Sequence, residues 1–224
     1  RDSSTSRGLG DVYKRQDIKY ILGLQEAIVV AMADGYSRST GKLSACNVHV
    51  APGLGNAMGA IYNAKFVGSP IIITAGQQEQ GHGLMEPMLY GPLVRMAEPL
   101  VKWATEVNRL EDLPRIMRRA AKIALSPPTG PVFISLPGDI LNKEAKIDLG
   151  KSTRVIDTYR PSHNSIELIA KKISKYKKPV IIAGHEVATS GAFKEITMFA
   201  EYTGSAVYQL SLIHISEPTR RRGI

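Results

Sequence analysis

Residues Leu43–Gly76 read LSACNVHVAPGLGNAMGAIYNAKFVGSPIIITAG, and this stretch decides the fold class. Leu43–Val50 and Pro70–Gly76 are short and apolar; the second is rich in β-branched residues and bounded by Pro and Gly. Both read as buried strands. Between them, Pro52-Gly53 opens a helix that runs through NAMGAIYNAKF and ends near Gly68. Strand, helix and strand in this order point to an α/β domain with a mainly parallel sheet flanked by helices.

The same alternation extends outward. A short apolar run, Tyr20–Leu24, is expected as a buried strand leading into a helix over Gln25–Arg38, where Ala27, Val30, Ala31 and Ala33 recur at helical spacing. Residues 77–100 are rich in Gly, Pro and Met and read as a long loop with one or two short turns; loops of that length are often functional. Glu111–Leu125 is amphipathic, with Leu113, Ile116, Met117, Ala120, Ala121 and Ala124 on one face and Arg115, Arg118, Arg119 and Lys122 on its wetter side. Pro131–Pro137 reads as the next buried strand, and Gly138–Pro161 as a polar connector. Beyond it come a helix over Ser165–Tyr176, a strand over Pro179–His185, a helix near Gly191–Thr203 and a strand over Ser205–Tyr208. These are expected to begin a second, truncated Rossmann-like α/β domain. No internal repeat interrupts the pattern.

Composition bounds the class. Apolar residues at 43% and charged residues at 22% of 224 describe an ordinary globular chain. No apolar run approaches the ~20 residues of a membrane helix, so no membrane partner is expected. A single cysteine, Cys46, excludes a disulfide scaffold and multi-cysteine metal sites. No secretory signal opens the chain, which makes a cytoplasmic location the expectation. The formal charge of +9 invites a nucleic-acid reading, but the two ends inflate it. A DNA sequence encoding Ser6–Gln16, SRGLGDVYKRQ, has a reverse complement that encodes Leu210–Arg220, LSLIHISEPTR, residue for residue. That DNA resembles a transposase-type sequencing adapter, so residues 1–16 and 210–224 are expected to be adapter-like artefacts. Without them the charge is +5. Most of the excess then lies in Lys171–Lys178, KKISKYKK, where Ile173 and Tyr176 are expected to face inward and the lysines to stay wet. With no aromatic and basic stripe to stack bases, no nucleic-acid partner is expected.

Several residues could carry chemistry. Glu26 stands just inside a helix. It is either a first-turn carboxylate favoured by the helix dipole or, among the apolar neighbours of YILGLQEA, a poorly hydrated one able to exchange a proton with a ligand near neutrality. His49 ends a strand, and ligands gather at the carboxyl ends of strands in open parallel sheets; it is an acid–base or substrate-binding candidate or a satisfied structural histidine. Gly53–Gly59, GLGNAMG, is one residue too long for the dinucleotide fingerprint, and a tight turn into a helix accounts for Pro52, Gly53 and Gly55. Glu79 and His82 lie in the long loop, with an active-site lid as the minority reading of the latter. Cys46, within a strand, reads as packing rather than nucleophile.

Taken together, LQEAIVVAMADGYSRSTGK, CNVHVAPGLGNAMGAIYNA, SPIIITAGQQ and PLVKW resemble the N-terminal pyrimidine-binding domain of thiamine diphosphate enzymes across Asp17–Pro137. Their N-x-H and GLGNAMGA forms are more similar to benzoylformate decarboxylase and its relatives than to acetolactate synthases. Residues 160–209 resemble the start of the central domain, so the resemblance implies an N-terminally truncated pyrimidine domain over 17–150 and the start of a central domain over 151–209. It also implies a 2-oxo-acid decarboxylase or carboligase, a small-molecule 2-oxo acid substrate and a homodimer or homotetramer with the site between subunits. Glu26 matches the family glutamate that hydrogen-bonds the pyrimidine N1′ and favours the imino tautomer, whose nitrogen removes the thiazolium proton. His49 matches an active-site histidine that binds substrate and transfers protons. Gly53 and Asn56 match the turn beside the cofactor, and Gln77 the start of a nearby loop. The resemblance places magnesium and the diphosphate on a C-terminal domain with a Gly-Asp-Gly…Asn-Asn motif; Gly138–Ile140, GDI, lacks the third glycine. The fragment is therefore expected to be inactive alone. The different-class alternative is a noncatalytic nucleotide-binding α/β module using Gly53–Gly59.

Overall fold

The structure is a computed structural model that describes residues 20–151 and 160–209. The adapter-like segments, residues 17–19 and residues 152–159 of the connector lie outside the described residues. The chain divides into two compact units, Arg1–Asp157 and Thr158–Ile224.

In the first unit, α1 (Glu26–Thr40) is followed by β1 (Ser44–Val48), α2 (Val50–Val67) and β2 (Ile71–Gln77). The chain continues through a short helix α3 (Leu93–Ala97), β3 (Ala104–Glu106), α4 (Leu113–Leu125), β4 (Val132–Pro137) and the single turn α5 (Gly138–Leu141). The strands pair in the order β1-β2-β4-β3, all parallel. Their carboxyl ends therefore share one edge, where His49 follows β1, Gln77 ends β2 and Glu106 ends β3.

Alternation along the central strands builds two cores. Ile71, Ile73 and Ala75 of β2 and Phe133 of β4 join Val30 and Ala33 of α1 and Leu54, Ala57, Ile61 and Ala64 of α2. Ile72, Val132 and Ile134 point the other way, against Ala120 and Ala124 of α4. The amphipathic stripe read for that helix meets this second core, while Arg119 lies 5.0 Å from the centre of the Trp103 ring. Lys102 donates to the carbonyls of Ile123 and Ser126 at 2.5 and 2.7 Å, which satisfies groups left open at the C-terminal end of α4.

Several expectations are corrected. Tyr20–Leu24 forms no strand, and Leu22 and Leu24 are exposed. α2 begins at Val50, ahead of Pro52, which its first turn accepts because an amide there has no partner within the helix. β3 carried no readable signal, since three residues cannot display a period. The long loop holds α3 as well as short turns.

The second unit contains α6 (His163–Ile173), β5 (Val180–Ala183), α7 (His185–Thr189), α8 (Phe193–Thr203) and β6 (Ala206–Gln209), with β5 and β6 paired in parallel. None of its described residues is buried. Tyr176, expected to face inward, is instead 65% exposed.

Candidate functional site

α1 and α2 pack against each other, and their first turns bring three of the candidate residues to one place. Glu26 is the first residue of α1 and is half-buried. Asn56, one turn into α2, donates from Nδ2 to Glu26 Oε2 at 3.2 Å. Glu26 Oε1 accepts no hydrogen bond among the described residues. A Cβ at Gly53 would stand 2.9 Å from that oxygen and 3.1 Å from His49 Cβ. Any side chain at position 53 would therefore displace the Glu26 carboxylate from this position and crowd His49, so the close approach favours glycine. The apolar shield expected around Glu26 is absent on the side of Leu22 and Leu24; its environment is set by Asn56, Gly53 and His49.

His49 is exposed and is the residue from which α2 starts, its carbonyl accepting from Gly53 N at 2.7 Å. Val50, which follows, has φ +45° although it is β-branched, and its side chain is 8% exposed. Such a conformation costs ~1–3 kcal/mol and persists only where surrounding packing imposes it. Nothing in the sequence signals it, because valine is among the residues least suited to positive φ.

Gln77 is not part of this cluster. Its amide nitrogen donates to Gly91 O at 2.8 Å and its oxygen accepts from Gln78 N at 2.9 Å, so both ends of the amide close the loop that follows β2. Asp139 ties the same loop to α5: Gln80 N donates to its carboxylate at 3.1 Å, and this bond, with Lys143 beside it, holds the carboxyl below the usual carboxylate range. The GDI segment thus serves the loop, and no group of metal-ligating side chains occurs among the described residues. Glu79 and His82 approach at 3.9 Å on the exposed face of the loop. A cleft of about 610 Å³ opens beside them, with Gln78, Tyr90, Glu106 and Asn108 in its wall.

Of the glycines in Gly53–Gly59, only Gly53 meets another group; a Cβ at Gly55 or Gly59 would meet nothing within 4 Å. All three lie inside α2 rather than in the turn before it, which removes the geometry a dinucleotide fingerprint needs. Cys46 is half-buried on β1, and burial pushes its thiol up to about 12. Roughly one thiol in ten thousand is then ionised at pH 8, so a disulfide reagent should leave the native protein unmodified and react fully after denaturation. Rapid native labelling would contradict this placement.

The site therefore presents one carboxylate oxygen held by an amide, its neighbour oxygen open to a donor, and an exposed histidine whose Cβ borders the same glycine. Residues 4–88 match the model described as thiamine pyrophosphate enzyme, N-terminal TPP binding domain. Benzoylformate decarboxylase of Pseudomonas aeruginosa is 35% identical over 180 residues, covering 79% of this chain and 34% of its own length. Acetolactate synthase large subunit of Buchnera aphidicola is 32% identical over 189 residues, covering 82% and 33%. These matches support a thiamine diphosphate-dependent enzyme family for the chain. It spans about a third of the length of the curated relatives it matches. Among solved members of this family, benzoylformate decarboxylase from Polynucleobacter necessarius superposes with a TM-score of 0.81 at 38% identity, over 93% of this chain and 39% of that one. The thiamine diphosphate-dependent 4-hydroxybenzoylformate decarboxylase of Rhodococcus jostii gives 0.81 at 33% identity, over 93% and 40%. The parallel α/β architecture of this chain is thus that of its solved relatives. The imino tautomer of an aminopyrimidine offers a ring N–H donor, and the open Glu26 Oε1 beside a side-chain-free Gly53 fits such a group.

Proposed function

We propose that this chain supplies the pyrimidine-binding half of a thiamine diphosphate site in an enzyme that decarboxylates or ligates 2-oxo acids. The observation that carries the proposal is the Glu26 carboxylate, oriented by Asn56 on one oxygen and open on the other next to Gly53 and His49. When bound, thiamine diphosphate supplies the electron sink for carbon–carbon bond cleavage. Glu26 would accept a hydrogen bond from the pyrimidine, and Asn56 would hold the carboxylate in the orientation that does so. Gly53 would leave room for the ring. His49, exposed at the carboxyl end of β1, would bind the substrate carboxylate or move a proton to and from it. Gln77 would act on the loop rather than on the cofactor. Magnesium and the diphosphate would be held by sequence outside this chain.

The partner at such a half-site would be a second copy of the protein, giving a homodimer or homotetramer. Ile28, Met32 and Tyr36 form an exposed stripe at i, i+4 and i+8 on α1, and Tyr62 and Phe66 are exposed on α2, the two helices that carry Glu26 and Asn56. Among the described residues no helix is long and apolar enough to cross a membrane, which is compatible with a cytoplasmic enzyme.

Equilibrium dialysis of the full-length protein with magnesium should give saturable binding of thiamine diphosphate and none of NAD or ATP. Saturable nucleotide binding without cofactor binding would replace this proposal by a noncatalytic nucleotide-binding module.

A further inference from the structure

The junction between β1 and α2 contains a feature that local backbone preference opposes. A helix can follow a strand through glycine, asparagine or aspartate in the left-handed region with little strain. Here that conformation falls on Val50, at φ +45°, and the side chain is buried rather than turned to solvent. Its neighbour on one side is Val48, the 1%-exposed last residue of β1. On the other side Gly53 N closes onto His49 O, so the first helical turn is wound directly on the histidine. Between two fixed points, the dihedral at residue 50 decides where His49 stands relative to α2, and its Cβ lies against Gly53, on which Glu26 Oε1 also closes.

We infer that Val50 is a positioning residue: burial of its side chain enforces the left-handed turn that holds His49 beside Glu26. The inference rests on the proposed function for the role of His49, but not for its placement. A valine serves where a glycine would not, because glycine allows the turn without requiring it, whereas any arrangement that turned the isopropyl group out of its buried place would lose its apolar burial.

Alanine and glycine substitutions separate the two properties. Val50→Ala removes the buried anchor but keeps the penalty for positive φ, so the junction should relax to negative φ and carry His49 away from Glu26. Val50→Gly removes anchor and penalty together and should retain the turn, and Val50→Asn, which tolerates this region, should follow glycine. In the full-length holoenzyme, kcat/KM is expected to fall at least ~10-fold in Val50→Ala and by less in the other two, since misplacement of a reacting group is more costly than its loosening. Packing alone gives the opposite order, alanine keeping more of the side chain than glycine. Crystal structures of the three variants should show positive φ at residue 50 in the glycine and asparagine proteins and a displaced His49 only in the alanine protein. Alanine outperforming glycine, or an alanine variant with positive φ and His49 in place, overturns the inference. The crystal structures decide it even if the unsubstituted protein shows no turnover, a result that would count against the proposed function alone.

Discussion

Replacing Glu26 by glutamine in the full-length protein should lower thiamine diphosphate-dependent turnover of a 2-oxo acid by about 100-fold or more, the scale on which positioned proton-transfer groups act. The substitution keeps shape and volume, so folding is not at issue. Asn56 Nδ2 donates to one oxygen of Glu26 and would bind the amide oxygen of the introduced glutamine in the same way. That choice turns the amide nitrogen, a donor, toward the position of the open oxygen Oε1, where the imino form of the cofactor would offer a donor of its own. Two donors then face each other and the negative charge is gone. Initial rates at saturating cofactor, with a cofactor titration to separate binding from turnover, measure the effect. Turnover within a few-fold of the original would falsify the assignment of Glu26. Glu26→Ala should lose at least as much, and it also leaves Asn56 without its partner.

Phe133→Ala should destabilise the first unit by ~3–5 kcal/mol, seen as a lower denaturant midpoint in equilibrium unfolding of the full-length protein. Phe133 is fully buried as the second residue of β4 and is the largest side chain in the core beneath α1 and α2. Its neighbours on the sheet, Ile73 of β2 and Ala104 of β3, are tied to it by backbone pairing and cannot move in to fill the space. Turnover should fall with stability and recover at lower temperature, since the residue touches none of the candidate site groups. A loss below ~1 kcal/mol would mean that the sheet is not covered as described.

Legibility followed the range of the physics involved. β2 and β4 were readable because a β-branched run between Pro70 and Gly76 and a short, mostly apolar run between Pro131 and Pro137 are local signals of burial on both faces. α4 was readable because its apolar positions recur at helical spacing. β3 escaped because it owes its existence to pairing of Ala104–Glu106 with Phe133–Ser135, which no local pattern encodes. Tyr20–Leu24 misled because an apolar run specifies burial only if something covers it. Within the site, Glu26, His49, Gly53 and Asn56 were all singled out from the sequence, and the structure gathers them. Gln77, singled out with them, turned instead to its own loop, since the carbonyl of Gly91 lies within reach of its amide.

By itself, then, the sequence determined a mainly parallel α/β chain, because period and strand boundaries are properties of neighbouring positions, and its motifs carried the resemblance to thiamine diphosphate enzymes. Only the tertiary structure decided that Asn56 holds Glu26 across thirty residues, that Gly53 is the one motif glycine pressed by its surroundings, and that Val50 is bent into the left-handed region. Those depend on how two helices meet over a sheet, and packing at a distance overrides the preference of any single residue.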